Sequence, residues 1–182
     1  MEFKNPTILT LTGYYVPGYK GGGPIRTMAS LVDAIGDELH FKIITLDRDL
    51  GCDEPYRGIK ANEWQKVGKA EVFYISPETL SWNFLRDIIS DTPHDILYLH
   101  SFFSLYFSII PIALRWLDQI PKRPTILAPL GQFSAGALHL KPFKKKAYIY
   151  LSKALNLHKN IVWQVSSIHE KEDLCRIFRN DW

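Results

Sequence analysis

The chain has 182 residues, of which 46% are hydrophobic, 13% aromatic and 23% charged. That length suits one domain burying about two-thirds of its unfolded surface, and its wealth of Ile, Leu, Phe, Trp and Tyr excludes a disordered chain. Cys52 and Cys175 are too few for a disulfide scaffold and lack zinc spacing, while 22 Lys and Arg against 19 Asp and Glu leave a net charge of +3, too slight to argue for nucleic acid.

The start, Met1-Glu2-Phe3-Lys4-Asn5-Pro6, has no apolar core or small-residue cleavage site of a signal peptide. A reduced cytoplasmic compartment with free cysteines is the expectation. Residues 7–12 are short and β-branched and predict the first strand. Residues 24–39 place Met28, Leu31, Val32, Ile35 and Leu39 at helical spacing, with Pro24 acceptable in a first turn. Residues 41–46 predict a second strand ending at Asp47. Residues 50–69 carry Gly51, Pro55, Gly58 and Gly68 without clear periodicity and read as a long excursion. A third strand follows over 71–75, a helix over 77–90 and a fourth strand over 95–99. Residues 104–117 are apolar nearly all round and predict a buried helix, with Pro111 either kinking it or marking its start. The greasiest stretch, 102–117, is shorter than the ~20 residues of a spanning helix. Strands over 125–128 and 161–165 complete six, and Ser167-Ile168-His169-Glu170 has the form of a capping box before a last helix. Strands alternating with helices predict one doubly wound, mainly parallel, Rossmann-like α/β domain over residues 1–182.

Ligands of open α/β sheets bind beyond the carboxyl ends of the strands. The loop after the first strand contains Gly21-Gly22-Gly23-Pro24-Ile25-Arg26. Consecutive glycines at a helix start let backbone N–H groups approach a ligand, and the helix dipole favours an anion there. The competing meaning is a flexible loop whose glycines only permit a turn. The segment is neither a dinucleotide fingerprint nor a P-loop, lacking G-x-G-x-x-G and Gly-Lys-Ser/Thr. Asp47 imitates the ribose-binding acid of a dehydrogenase, although a polar residue ending a strand accounts for it.

The fourth strand runs into His100-Ser101, where an imidazole either donates a hydrogen bond or shuttles a proton, or else satisfies a local carbonyl. After the fifth strand, Gly131 and Gly136 bracket Gln132 and Ser134, a layout suited to a polyhydroxylated ligand or to a structural crossover. Beyond it, Phe143, Ala147, Tyr150, Leu151 and Ala154 recur at helical spacing beside Lys144, Lys145 and Lys146. Such a helix fits anionic lipid or is a solvated charged face. No nucleophile elbow or His-Glu-x-x-His occurs. His40, His94, His139, His158 and His169 lack metal-ligand spacing, so no metal is expected.

Taken in order, Gly21 to Arg26, Asn62-Glu63-Trp64-Gln65-Lys66-Val67-Gly68, Asp95-Ile96-Leu97-Tyr98-Leu99-His100-Ser101 and residues 127–146 resemble the amino-terminal domain of the family-4 glycosyltransferases, retaining enzymes of the two-domain GT-B fold. The resemblance covers almost the whole chain. The last segment is similar to the family's Ala-Pro-Arg-Gly-Glu-Phe-Ser-Pro-Gly-Ala-Leu stretch followed by a basic helix.

The resemblance implies an acceptor-holding domain facing a carboxyl-terminal nucleotide-sugar domain across a cleft. That partner domain, roughly another 150 residues or more with a Glu-x7-Glu motif, is expected beyond the present chain, which alone is expected to be inactive. By the same likeness Gly21, Gly22 and Gly23 approach the donor diphosphate and His100 is catalytic beside the transferred sugar. Arg26, Ser101, Gly131 and Gln132 then stand near the reacting groups. The implied reaction is metal-independent, retaining transfer from a nucleotide-sugar to a polysaccharide or glycolipid acceptor, with no other cofactor. Stabilising the leaving diphosphate needs positive charge and N–H donors, so a basic, glycine-lined crevice formed by residues 21–26, His100 and Gly131 is expected. Two positions depart from the family: Leu130 replaces an Arg and Gln132 a Glu, pointing to altered acceptor preference or a weakened enzyme. Two other readings stand beside this one. The first is a stand-alone Rossmann-like protein binding a nucleotide or phosphorylated metabolite. The second is a non-catalytic module whose lysine helix meets a protein or the inner face of an anionic membrane.

Overall fold

Apolar, β-branched runs too short for helices lie side by side in the computed structural model, which describes residues 5–178. The chain order is β1 (Thr7–Leu11), α1 (Gly23–Ile35), β2 (His40–Leu46), β3 (Trp64–Val67), β4 (Ala70–Ile75), α2 (Trp82–Asp91), β5 (Ile96–His100), α3 (Ile110–Trp116), β6 (Thr125–Ala128), α4 (Ala135–His139), α5 (Pro142–Ala154), β7 (Ile161–Trp163) and α6 (Ile168–Ile177). Met1 to Lys4, read above for targeting signals, and residues 179–182 lie outside the described residues.

The seven strands form one sheet in the order β3-β4-β2-β1-β5-β6-β7. Every neighbouring pair is parallel except β3–β4. Successive side chains point to opposite faces, so each central strand feeds two cores, as a covered parallel sheet requires. On one face Leu9, Ile44, Leu99 and Leu127 pack with Leu85 and Ile89 of α2, Leu114 of α3 and Leu174 of α6. On the other, Ile8, Ile43, Val72 and Tyr98 meet Met28 and Val32 of α1. This is the Rossmann-like α/β arrangement that alternating periodicity predicts.

The differences are local. A seventh strand, β3, lies inside the predicted excursion, where Trp64 pairs with Phe73 and Val67 with Ala70. The two-residue turn between them begins at Gly68, whose φ of +58° suits glycine. Four residues, Trp-Gln-Lys-Val, are too few to show alternation, and the pairing of Trp64 with the Phe73 ring supplies what periodicity does not. Helix α1 stops at Ile35 rather than residue 39, because the chain turns at Gly36, where a Cβ would stand 2.8 Å from the Cβ of Lys69.

The helix expected over 77–90 is a 3₁₀ turn over Pro77–Thr79 followed by α2. Ser81 interrupts the two with an extended backbone, and its hydroxyl accepts the Phe84 N–H at 3.2 Å, a cap that starts α2 afresh. The predicted helix over 104–117 opens with a π-helical turn, Leu105–Ile109, before α3. Pro111 falls in the first turn of α3, where its missing N–H costs nothing. No helix among the described residues is long and apolar enough to cross a membrane.

Ser81→Ala is expected to lower unfolding free energy by about 1 kcal/mol through loss of the cap. Leu85→Ala, at a fully buried position, should cost about 2–5 kcal/mol. Urea unfolding followed by circular dichroism measures both. No loss on replacing Ser81 would mean that its hydroxyl does not cap α2.

Candidate functional site

Parallel pairing sets Leu11 beside Leu99 and His100 beside Ala128, so the carboxyl ends of β1, β5 and β6 share one edge. The segments leaving these ends enclose a concavity of about 210 Å³. Thr12, Gly13 and Tyr14 line it from β1, His100, Ser101 and Ser104 from β5, and Leu130 and Gln132 from β6. Gly21, Pro24 and Ile25, at the start of α1, close the remaining side.

His100 is the last residue of β5 and points to the α1 side of the sheet, as its register with Tyr98 dictates. Only 3% of it is exposed, and neither ring nitrogen has a hydrogen-bond partner among the described residues. Its ring stands edge-on to Tyr98 at 4.5 Å. Burial pushes its pKa down from 6.5 to about 4, so the ring is neutral near pH 7. A neutral imidazole offers one donor and one acceptor. Tyr14 also keeps its proton, since burial and then the nearby Asp49 carboxylate raise its pKa.

The opposite wall is a chain of hydrogen bonds. Gln132 donates from Nε2 to Ser101 Oγ at 2.7 Å and accepts the Phe103 N–H at 3.0 Å, tying the β6 loop to the end of β5. Gln132 points this way because Leu130 and Gly131 both adopt positive φ, +57° and +74°. Ser101 is also left-handed, at φ +76°. For non-glycine residues such conformations persist where surrounding structure enforces them.

The enforcement at Gly131 comes from Glu170, in the first turn of α6. Its carboxylate accepts the Gly131 N–H at 2.7 Å and both the N–H and hydroxyl of Ser166 at 2.8 Å. Burial raises the Glu170 pKa, but these donors outweigh it and hold the group below its ordinary value. The capping box is therefore half formed. Ser167 accepts the Glu170 N–H at 3.1 Å as expected, while the Glu170 side chain turns to another strand end. Sequence reading identified the cap and missed this bond, because residue spacing carries no information about a loop 39 positions earlier.

The glycine loop is anchored from behind. Asp49 accepts the N–H groups of Tyr19, at 2.8 Å, and of Lys20, and Tyr74 donates its hydroxyl proton to the Val16 carbonyl. Gly22, at φ +71°, precedes α1 and has no side chain to cap it. In a regular helix this leaves the Gly23 and Ile25 N–H groups without a partner within their own helix. A Cβ on Gly21 would come within 2.9 Å of Ile25 Cδ1, so this glycine permits the close approach of loop and helix.

Of the predicted site residues, Gly21, His100, Ser101 and Gln132 converge on the pocket. Gly22, Gly23, Gly131 and Arg26 fall outside its lining, and Arg26 is exposed on α1. The expected basic crevice is therefore corrected: no Lys or Arg side chain lines the pocket among the described residues, and Arg26 lies exposed on α1 instead. Thr12, Tyr14, Ser104 and Leu130 join it unpredicted. Asp47 has a structural task, pairing with Arg48 Nε at 2.8 Å and accepting the Tyr56 N–H on its carbonyl.

The three consecutive lysines of α5, Lys144 to Lys146, divide. Lys144 and Lys146 are exposed, whereas Lys145 donates to the Ala137 carbonyl and lies 5.0 Å from the Phe103 ring centre. Compared with models of protein families and with curated proteins, the chain matches none.

Two titrations follow. The folded pKa of His100 lies below its unfolded value, so its contribution to stability is complete above about pH 6.5 and is lost toward pH 4. The loss amounts to about 3 kcal/mol. NMR should show a ring that does not titrate between about pH 8 and 5; a midpoint near 6.5 would mean a solvated imidazole. Glu170 stabilises the fold above its ordinary pKa of 4.5, and that share is lost as pH falls through the depressed folded value. Glu170→Gln should thus cost about 1–3 kcal/mol near neutrality, and the difference from the native chain should shrink toward pH 3 in urea titrations.

Proposed function

We propose that this chain is the acceptor-side half of a retaining glycosyltransferase, and that the pocket between β1, β5 and β6 receives an uncharged, hydroxylated part of a saccharide or glycolipid acceptor. A nucleotide-sugar domain supplies the donor across the open side. The observation that carries this reading is His100: a buried, neutral imidazole, set into a pocket, with both nitrogens unpartnered among the described residues. The other polar groups there are the hydroxyls of Thr12, Tyr14, Ser101 and Ser104 and the Gln132 amide.

Such a lining suits sugar hydroxyls, each of which donates and accepts at once. It suits a phosphate poorly, since the lining carries no cation. The concavity, about 210 Å³, is smaller than the roughly 300–1,000 Å³ of pockets that enclose a whole drug-sized ligand, in keeping with half of a cleft. The free N–H groups opening α1 are the feature on this edge that favours an anion, and in this reading they face the departing diphosphate.

The chemistry then follows from a weakly basic His100. At a pKa of about 4 the ring orients a hydroxyl by hydrogen bonding rather than removing its proton. The bond from the sugar's anomeric carbon to the diphosphate breaks, the acceptor oxygen bonds to that carbon on the same face, and the acceptor's proton passes to the departing phosphate oxygen. The α1 N–H groups stabilise the charge that develops there. Gln132, where the family has Glu, keeps the bridge between Ser101 and Phe103 without adding a negative charge to the site.

Calorimetry on this chain should show no tight binding of nucleoside diphosphates. Micromolar nucleotide binding without a second domain would instead make this a self-sufficient nucleotide-binding protein. In a protein joining the chain to a nucleotide-sugar domain, His100→Ala should lower kcat by about 10²–10³. Turnover within a factor of two of the unsubstituted protein would remove His100 from the mechanism.

A further inference from the structure

Between Asp118 and Glu170 the sequence contains no Asp or Glu, yet it carries eight Lys and Arg. With a net charge of +3 overall, the rest of the chain is net acidic. The positive charge of this protein is thus gathered into the segment that runs from α3 through α4 and α5 to β7 and the start of α6.

Helix α5 lies in the middle of that segment with an unusual distribution of side chains. Tyr148, Ile149 and Ser152 turn inward. Phe143, Tyr150 and Leu151 turn outward, 91%, 77% and 51% exposed, and Ala147 and Ala154 are exposed as well. At 3.6 residues per turn these five positions form one apolar stripe, with Lys144 along one edge and Lys146 along the other. Exposed Leu140 extends the stripe beyond the start of the helix. Past its end, Leu155 shares a concavity with Trp116, Arg115 and Lys159.

We propose that α5 is a docking surface for an anionic lipid bilayer, with Phe143, Tyr150 and Leu151 sunk among the headgroups and Lys144 and Lys146 on the lipid phosphates. The occupant follows from shape and charge together. A lone exposed helix presents a convex ridge, which a deformable lipid surface accommodates. Cations on both edges of an apolar stripe meet phosphates on both sides only on an extended anionic plane. A second copy of this chain would bring one acid-free ridge against another and be repelled.

The surface is independent of the pocket assignment but lies close to it. Lys145, on the inner side of α5, covers Phe103, whose N–H is held by Gln132 in the pocket wall. A bilayer along α5 would therefore lie on the opposite side of that helix from the Lys145–Phe103 contact that leads to the pocket wall.

Cosedimentation with vesicles tests the proposal without any transfer assay, so its failure is separable from failure of the glycosyltransferase reading. The chain should sediment with mixed phosphatidylglycerol–phosphatidylcholine vesicles, less so as salt rises, and stay in solution with phosphatidylcholine alone. Replacing Lys144 and Lys146 by Ser should weaken partitioning by about 30-fold, and Phe143→Ser by about tenfold. All three positions are exposed, so unchanged thermal melting should accompany the loss. Equal binding to uncharged vesicles, no binding to either kind, or full binding by the double lysine variant would overturn the proposal. So would a dimer in analytical ultracentrifugation that Phe143→Ser dissolves, because a second copy would then cover the stripe.

Discussion

Two strand ends are tied together by one buried carboxylate. Glu170 accepts an N–H from Gly131 and two donors from Ser166, so the β6 loop and the β7–α6 junction share its two oxygens. A buried carboxylate without such donors would be destabilising by several kcal/mol, so the loop adopts the shape that supplies them. That shape is two successive positive-φ residues, Leu130 and Gly131, which re-aim the following residue. Gln132 is thereby turned toward β5, where it fastens Ser101 and the Phe103 N–H. The Glu170 clasp thus adds to the turn's own bonds, from the Gln132 N–H to the Pro129 carbonyl and from the Ser134 N–H to the Gly131 carbonyl.

The electrostatic character of the pocket comes from what is left out. Its side chains are hydroxyl, amide, apolar or a neutral imidazole. Positive potential on this edge therefore comes from the backbone: the start of α1 carries a partial charge of about +0.5, with no acid in its first turn to cancel it. A dipole of this kind favours an anion at the start of α1. Uncharged hydroxyls, by contrast, lose little on entering a pocket that returns each hydrogen bond.

The same edge shows why charge and site are separate. Lys144 and Lys146 are exposed on α5, whereas Lys145 is spent on the Ala137 carbonyl and the Phe103 face and Lys153 on the Ile177 carbonyl. A helix packed by Tyr148, Ile149 and Ser152 has room on its outer side for both a Phe-Tyr-Leu stripe and its flanking lysines. Tyr148 belongs to the aromatic cluster of Phe102, His158 and Phe178, so the inner face is committed to the core and the outer face is free for a surface role.

How much of this was legible in the chain divides along physical lines. Short apolar runs alternating with periodic helices determined the α/β class and the positions of β1, β2, β4, β5, β6 and β7, because periodicity is local and burial on both faces leaves few polar interruptions. Gly21, His100 and Gln132 were legible as residues around this pocket because topology fixes which ends of parallel strands meet. The hairpin strand β3, the break at Ser81, the neutrality of the pocket and the reach of Glu170 to Gly131 were not. Each depends on a partner distant in sequence or on the direction in which a side chain leaves its element, and neither is encoded in spacing. The sequence alone thus determined which elements form and in what order. Only the tertiary structure decided which charges face away from the site and which carboxylate shapes it, since desolvation and hydrogen-bond geometry exist only once the layers have packed.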